Sequence, residues 1–157
     1  DELEKSGTKF GSETDTEVVA ELVSAQMQKC LSAADGVQLT LPRLPGAFVT
    51  VEAFPLYVIG PFALPWLVHE PGRGERIKGQ LFEVDDQRLV AMDVLERVAD
   101  AHWYTRRELA VQPAQGGPLH VAQAYFGSTA RLLTEAIHHG PIAEYTEDHQ
   151  VLYRRHL

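Results

Sequence analysis

The stretch Val84-Asp85-Asp86-Gln87-Arg88-Leu89-Val90-Ala91-Met92-Asp93-Val94-Leu95-Glu96-Arg97 reads as a helix that begins after Asp85 or Asp86. Aspartate suits a helix start, where its carboxylate accepts from unpaired backbone N–H groups and meets the positive end of the helix dipole. Glu96 follows Leu89 by seven residues and Met92 by four, so it falls on the stripe those two define. An apolar side chain is expected there, and a carboxylate stands in its place. Facing partly into the protein, it would lose hydration, which disfavours the charged form and raises its pKa. A carboxyl near neutrality can take a proton and return it, the work of a general base. The same position also suits an edge glutamate whose stem packs while its head reaches water.

Working outward from this helix, the pattern is mixed α and β. Upstream, Ile77 to Val84 and Ala47 to Phe54 read as strands, and Val37-Gln38-Leu39-Thr40-Leu41 alternates apolar and polar residues. Downstream, Glu108 to Gln112 and Leu119 to Phe126 suit a hairpin joined through Pro113-Ala114-Gln115-Gly116-Gly117-Pro118. Ser128 is placed to cap a last helix through Ile137, stopped by Gly140-Pro141. Near the front, Thr14-Asp15-Thr16-Glu17 has the spacing of a capping box. Val19, Leu22, Val23, Met27, Cys30 and Leu31 then recur at helical spacing, and Asp35-Gly36 ends that helix.

A chain of 157 residues, 45% hydrophobic and 23% charged, is the size of one globular domain with its own core. A net charge of −8 argues against a general nucleic-acid binder, which needs a basic surface. Arg154-Arg155-His156 is a short solvated cluster. The apolar run from Phe54 to Val68 is broken by Pro55, Gly60, Pro61 and Pro65, so it reads as buried strands and turns rather than a membrane helix. The single cysteine, Cys30, excludes an internal disulfide. With no leader-like segment among the first residues, it points to the cytoplasm. His120, His138, His139, His149 and His156 show no His-Glu-x-x-His spacing, and no metal site is expected. Pro71-Gly72-Arg73-Gly74 lacks the Gly-Lys-Ser/Thr ending of a phosphate loop and reads as a tight turn.

Several segments in order carry a family likeness: Phe54-Pro55-Leu56-Tyr57-Val58-Ile59-Gly60, Leu64-Pro65-Trp66-Leu67-Val68-His69, Pro71-Gly72-Arg73-Gly74, Lys78-Gly79-Gln80-Leu81-Phe82-Glu83-Val84-Asp85, Met92-Asp93-Val94-Leu95-Glu96 and Tyr104-Thr105-Arg106-Arg107. The likeness continues through Val121-Ala122-Gln123-Ala124-Tyr125-Phe126. It ends more loosely in Glu144-Tyr145-Thr146-Glu147-Asp148 and Tyr153. From about residue 51 to 157 the chain resembles the γ-glutamylcyclotransferase-like family, most of all its γ-glutamylamine cyclotransferase branch. The resemblance implies an α+β fold, a small twisted mixed β-sheet or barrel with surrounding helices. It also implies an enzyme without a cofactor that cyclises a small γ-glutamyl amine, such as γ-glutamyl-ε-lysine, to 5-oxoproline and a free amine. Glu96 stands at the position of the family's general base, and Trp66, Tyr104 and Tyr125 fall in segments placed near the substrate. Asp93, three residues before Glu96, is positioned to tune it or to sit solvated on the helix face.

The front of the chain departs from this pattern. The family opens with a strand and a Tyr-Gly-Thr-Leu loop whose backbone N–H groups hold substrate and developing oxyanion. Here Ser6-Gly7-Thr8-Lys9 shares only Gly7 and Thr8, which become the candidate remnant of that loop. Leu3 to Leu22, with Ser12-Glu13-Thr14-Asp15-Thr16-Glu17-Val18 at its centre, instead resembles part of the glutaminase domain of glucosamine-6-phosphate synthase. Leu41-Pro42-Arg43-Leu44-Pro45-Gly46-Ala47-Phe48 extends this likeness more weakly. That domain uses an N-terminal cysteine nucleophile, whereas residue 1 here is Asp1, so its activity does not carry over. The expectation is one domain over residues 1–157, with 1–50 an atypical N-terminal segment and 51–157 cyclotransferase-like. The alternative function is a non-catalytic module that binds γ-glutamyl ligands without the oxyanion loop. The oligomeric state is left open.

Overall fold

The computed structural model describes residues 17–20 and 42–149. The elements in chain order are β1 (Glu17–Ala20), β2 (Phe48–Phe54), β3 (Leu56–Ile59), β4 (Leu64–Leu67), β5 (Glu75–Gly79), β6 (Leu81–Val84), α1 (Asp86–Leu95), β7 (Tyr104–Pro113), β8 (His120–Gly127), α2 (Thr129–Leu132) and β9 (Ile137–His139). Six strands form one sheet in the order β5-β2-β7-β8-β1-β6, and three form another in the order β9-β3-β4. β1 runs parallel to β8 and antiparallel to β6, so the larger sheet is mixed.

The two edge strands of the larger sheet, β5 and β6, are consecutive in the chain and separated only by Gln80. One residue cannot span an open six-stranded sheet, since neighbouring strands lie about 4.8 Å apart. The sheet therefore curls until its edges meet, giving the barrel-like form. Phe48, Phe54, Leu56, Leu67, Ile77, Leu81, Leu109, Val111, Ala122, Ala124 and Phe126 fill its interior. The strand expected over Ile77–Val84 is thus two strands, one on each edge.

β2 shows how the sheet bends. Its pairing with β5 shifts register between Val49 and Ala53. At that irregularity the buried Thr50 hydroxyl accepts from the Ile77 N–H at 2.8 Å, and Arg76 Nε donates to the Thr50 carbonyl at 2.8 Å. These side-chain bonds stand in for the interrupted ladder. Pro71–Gly74 is a turn, as its composition implied. Gly74 there has φ +76°, and a β-carbon on it would lie 2.5 Å from the Phe54 carbonyl oxygen. Glycine fits both demands. Among the described residues no helix is long and apolar enough to cross a membrane.

Two further expectations are corrected. Glu17–Ala20, assigned to a helix from its capping-box spacing, is a strand that pairs residue for residue with Leu81–Val84. Val18 and Val19 are β-branched, and the sheet partners outweigh the local signal. The rest of that helix, with Cys30, lies outside the described residues, as do Val37–Leu41. At the other end, Ser128 caps α2 by accepting from the Arg131 N–H, but the helix stops at Leu132 rather than reaching Ile137. None of its residues is buried, so no packing extends it, and Ile137–His139 pair instead with β3.

Candidate active site

Asp85 caps α1 by accepting from the Arg88 N–H, and Leu89 and Met92 are the helix residues buried against the sheet. Glu96 continues their stripe as the C-cap residue, with its own N–H bonded to the Met92 carbonyl at 2.8 Å. Beyond it the chain closes a Schellman turn. Arg97 N–H bonds to the Val94 carbonyl at 3.1 Å and Val98 N–H to the Asp93 carbonyl at 3.0 Å, with Arg97 at φ +55°. Two backbone bonds thus fix the residue following Glu96, and the carboxyl is held where the helix ends against the sheet.

Glu96 is 4% exposed, and its Oε1 is buried with no hydrogen-bond partner among the described residues. Burial pushes its carboxyl up from 4.5 to about 8. The edge-glutamate reading, with its head in water, does not hold. A buried, unpartnered carboxyl oxygen is costly to keep, which makes it a candidate for meeting a ligand.

The three expected aromatic residues come together beneath this helix. Trp66, Tyr104 and Tyr125 belong to one buried cluster with Leu89 and Met92. The Trp66 and Tyr104 rings are 4.6 Å apart. Trp66 Nε1 donates to the Ser128 carbonyl at 2.9 Å and the Tyr104 hydroxyl to the Pro65 carbonyl at 2.8 Å. Tyr125 differs, because its hydroxyl donates to the Asp93 carboxylate at 2.8 Å and its phenol also feels the charge of Glu96. Burial, then the Asp93 bond and the two carboxylates, push the phenol upward, while Arg106 opposes them. Gly7 and Thr8 lie outside the described residues.

Sequence reading missed the polar chain attached to this site. Asp93 is no freely solvated helix aspartate: Arg106 Nε reaches its Oδ1 at 2.8 Å and Arg106 Nη2 its Oδ2 at 3.1 Å. Arg106 Nη1 donates to Gln123 Oε1 at 3.0 Å, and Gln123 Nε2 to Glu108 Oε2 at 3.3 Å. The signal lay in the hairpin register, which sets Arg106 opposite Tyr125 and Glu108 opposite Gln123. Both residues of each pair then face the same side of the sheet. Thr105, Arg107 and Phe126 alternate with them and so point the other way, where with His69 and Ser128 they border a separate cleft of about 190 Å³. Among the described residues no three His, Cys, Asp or Glu side chains are grouped to hold a metal ion.

Comparison with known proteins agrees with this architecture. The family model described as Gamma-glutamyl cyclotransferase, AIG2-like matches residues 27–156. A gamma-glutamylaminecyclotransferase from Rattus norvegicus is 36% identical over 92 residues, covering 57% of this chain and 62% of that protein. A crystal structure of an AIG2-like protein from Mus musculus superimposes with a TM-score of 0.58 at 27% identity, over 78% of this chain and 86% of the other. The chain belongs to the γ-glutamyl cyclotransferase, AIG2-like family. A separate similarity links 86% of it to 22% of a glutamine–fructose-6-phosphate aminotransferase from Bradyrhizobium diazoefficiens, at 35% identity over 141 residues.

Proposed function

We propose that this protein is a γ-glutamylamine cyclotransferase, converting γ-glutamyl amines such as γ-glutamyl-ε-lysine to 5-oxoproline and the free amine, with Glu96 as general acid and base. The observation that carries this reading is the Glu96 carboxyl, buried with one oxygen unpartnered among the described residues and raised to about 8. Such a group accepts a proton readily and is acidic enough to give it up again near neutral pH. Glu96 would take a proton from the substrate α-ammonium, freeing the amine to attack the γ-carbonyl carbon. As the carbonyl reforms, the bond to the amine leaving group breaks and that amine takes the first proton back from Glu96; the second proton, shed by the nitrogen that has closed the ring, passes through the same carboxylate to leave the released amine as an ammonium. Every atom of the substrate is then accounted for in 5-oxoproline and the amine, and the carboxylate is regenerated. Trp66, Tyr104 and Tyr125 would form the apolar wall behind the glutamyl chain, while Gly7 and Thr8 are the proposed remnant of the oxyanion loop. The rat relative's name supports the γ-glutamylamine class.

The chain would act in the cytoplasm on this small-molecule substrate as one domain. The insertion of β1 between β6 and β8 supports folding of the atypical front segment with the remainder. A panel of γ-glutamyl amines, assayed for both 5-oxoproline release and binding heat, tests the proposal. Release from at least γ-glutamyl-ε-lysine is expected. Binding without release would instead indicate a non-catalytic γ-glutamyl-binding module.

A further inference from the structure

Side chains alternate in direction along β7, so Thr105, Arg107, Leu109 and Val111 share one face of the strand. Leu109 and Val111 belong to the barrel core, whereas Thr105 and Arg107 carry the same row out to an exposed mouth. An apolar pair would have extended the core there. Instead the row ends in a hydroxyl and a guanidinium, which with His69, Ser128 and Thr129 border the cleft of about 190 Å³ beside the buried Phe126. The neighbouring strand leaves room for them, since the register sets the small, buried Ala124 opposite Arg107. The His69 ring stands perpendicular to Phe126 at 4.9 Å and lies 5.8 Å from Phe54, contacts that hold the ring and leave its nitrogens unengaged. Among the described residues the Arg107 guanidinium and the Thr105 and Thr129 hydroxyls meet no hydrogen-bond or ion-pair partner, and no residue bordering the cleft is acidic.

We propose that this cleft is a binding site for a small carboxylate, with the Arg107 fork as its principal donor and Thr105, Thr129 and His69 completing the set. A planar guanidinium matches a carboxylate through two parallel N–H···O bonds. Its single positive charge balances one negative charge, and among the described residues no lysine or second arginine borders the cleft to favour a phosphate dianion. The volume lies below the roughly 300–1,000 Å³ of sites for drug-sized ligands, so a short acid fits and a nucleotide does not. Two sources share this chemistry: the acid group on the leaving amine of the proposed substrate, and a separate small molecule. The site stands on the cleft residues alone, whether or not Glu96 is the base.

Amide NMR of the full chain, titrated with butyrate and with neutral butyramide at constant ionic strength, tests the site. Butyrate is expected to shift the amides of His69, Thr105, Arg107 and Ser128 in one saturable step, and butyramide to leave them in place. Arg107→Met keeps the stem and removes the fork. The exposed, unpaired side chain gives the fold nothing to lose, and butyrate affinity should fall about tenfold or more. Arg107→Lys, which keeps the charge without the fork, should restore it only in part. Equal responses to the two probes, no saturable response to butyrate, or unchanged affinity in Arg107→Met overturns the proposal. Once butyrate binding is established, kinetics separate the sources. A KM raised by Arg107→Met for γ-glutamyl-ε-lysine but not for γ-glutamyl-n-butylamine assigns the site to the leaving amine's carboxylate, and unmoved KM values assign it to a separate molecule. If the parent releases no 5-oxoproline, the cyclotransferase reading fails, while the titration still decides whether the cleft binds a carboxylate.

Discussion

At the residue scale, Glu96 ties stability to pH with a definite sign. The folded protein keeps this proton up to about 8, whereas the unfolded chain releases it near 4.5. Between those values the folded state binds more protons than the unfolded state, so stability falls as pH rises. The full difference is on the order of 5 kcal/mol. Glu96→Gln stays neutral throughout. Melting temperatures of the two proteins should converge near pH 4.5 and diverge in favour of the glutamine variant towards pH 8; parallel curves would mean Glu96 titrates as an exposed carboxylate. The placement of Glu96 was legible because Leu89, Met92 and Glu96 share one helical stripe. The Asp93 contacts were not legible, since they need helix docking and strand register together. Spacing along one helix puts Asp93 near Glu96 but cannot reveal that Arg106 and Tyr125 meet it from β7 and β8.

Among the elements, those with a strong local signal matched expectation. The Asp85 cap and the β7–β8 hairpin follow from cap chemistry and from alternation flanking a Gly/Pro loop. The departures occur where distant partners decide: β1 is a strand because Leu81–Val84 offers a ladder, and α2 is short because nothing buries it. The bend in β2 was equally invisible, since it depends on Thr50 bonding to a residue 27 positions away. Thr50→Val keeps the shape but leaves the buried Ile77 N–H without its acceptor. Urea unfolding should show a loss of about 1–3 kcal/mol, and a loss near zero would mean the backbone finds another partner.

For the whole molecule, the joint between the two sheets positions the site. Trp66, from β4, packs against Gly127 at the end of β8, where a β-carbon would come within 2.1 Å of the indole ring. Gly127→Ala must displace Trp66, strain its bond to the Ser128 carbonyl and disturb the cluster beneath Glu96. A destabilisation of about 1–3 kcal/mol is expected by thermal or chemical denaturation, with loss of activity beyond what unfolding explains. Barrel closure through Gln80 could not be read from sequence, where the two edge strands ran together as one. The central claim is that Glu96 carries the proton in cyclisation, and the most direct measurement is 5-oxoproline release from γ-glutamyl-ε-lysine by the parent and by Glu96→Gln at equal folded concentration. A fall of about 10²-fold or more is expected, within the range that positioned acid–base groups supply. Turnover by the glutamine variant at the parent's rate would contradict the assignment of Glu96 as the base.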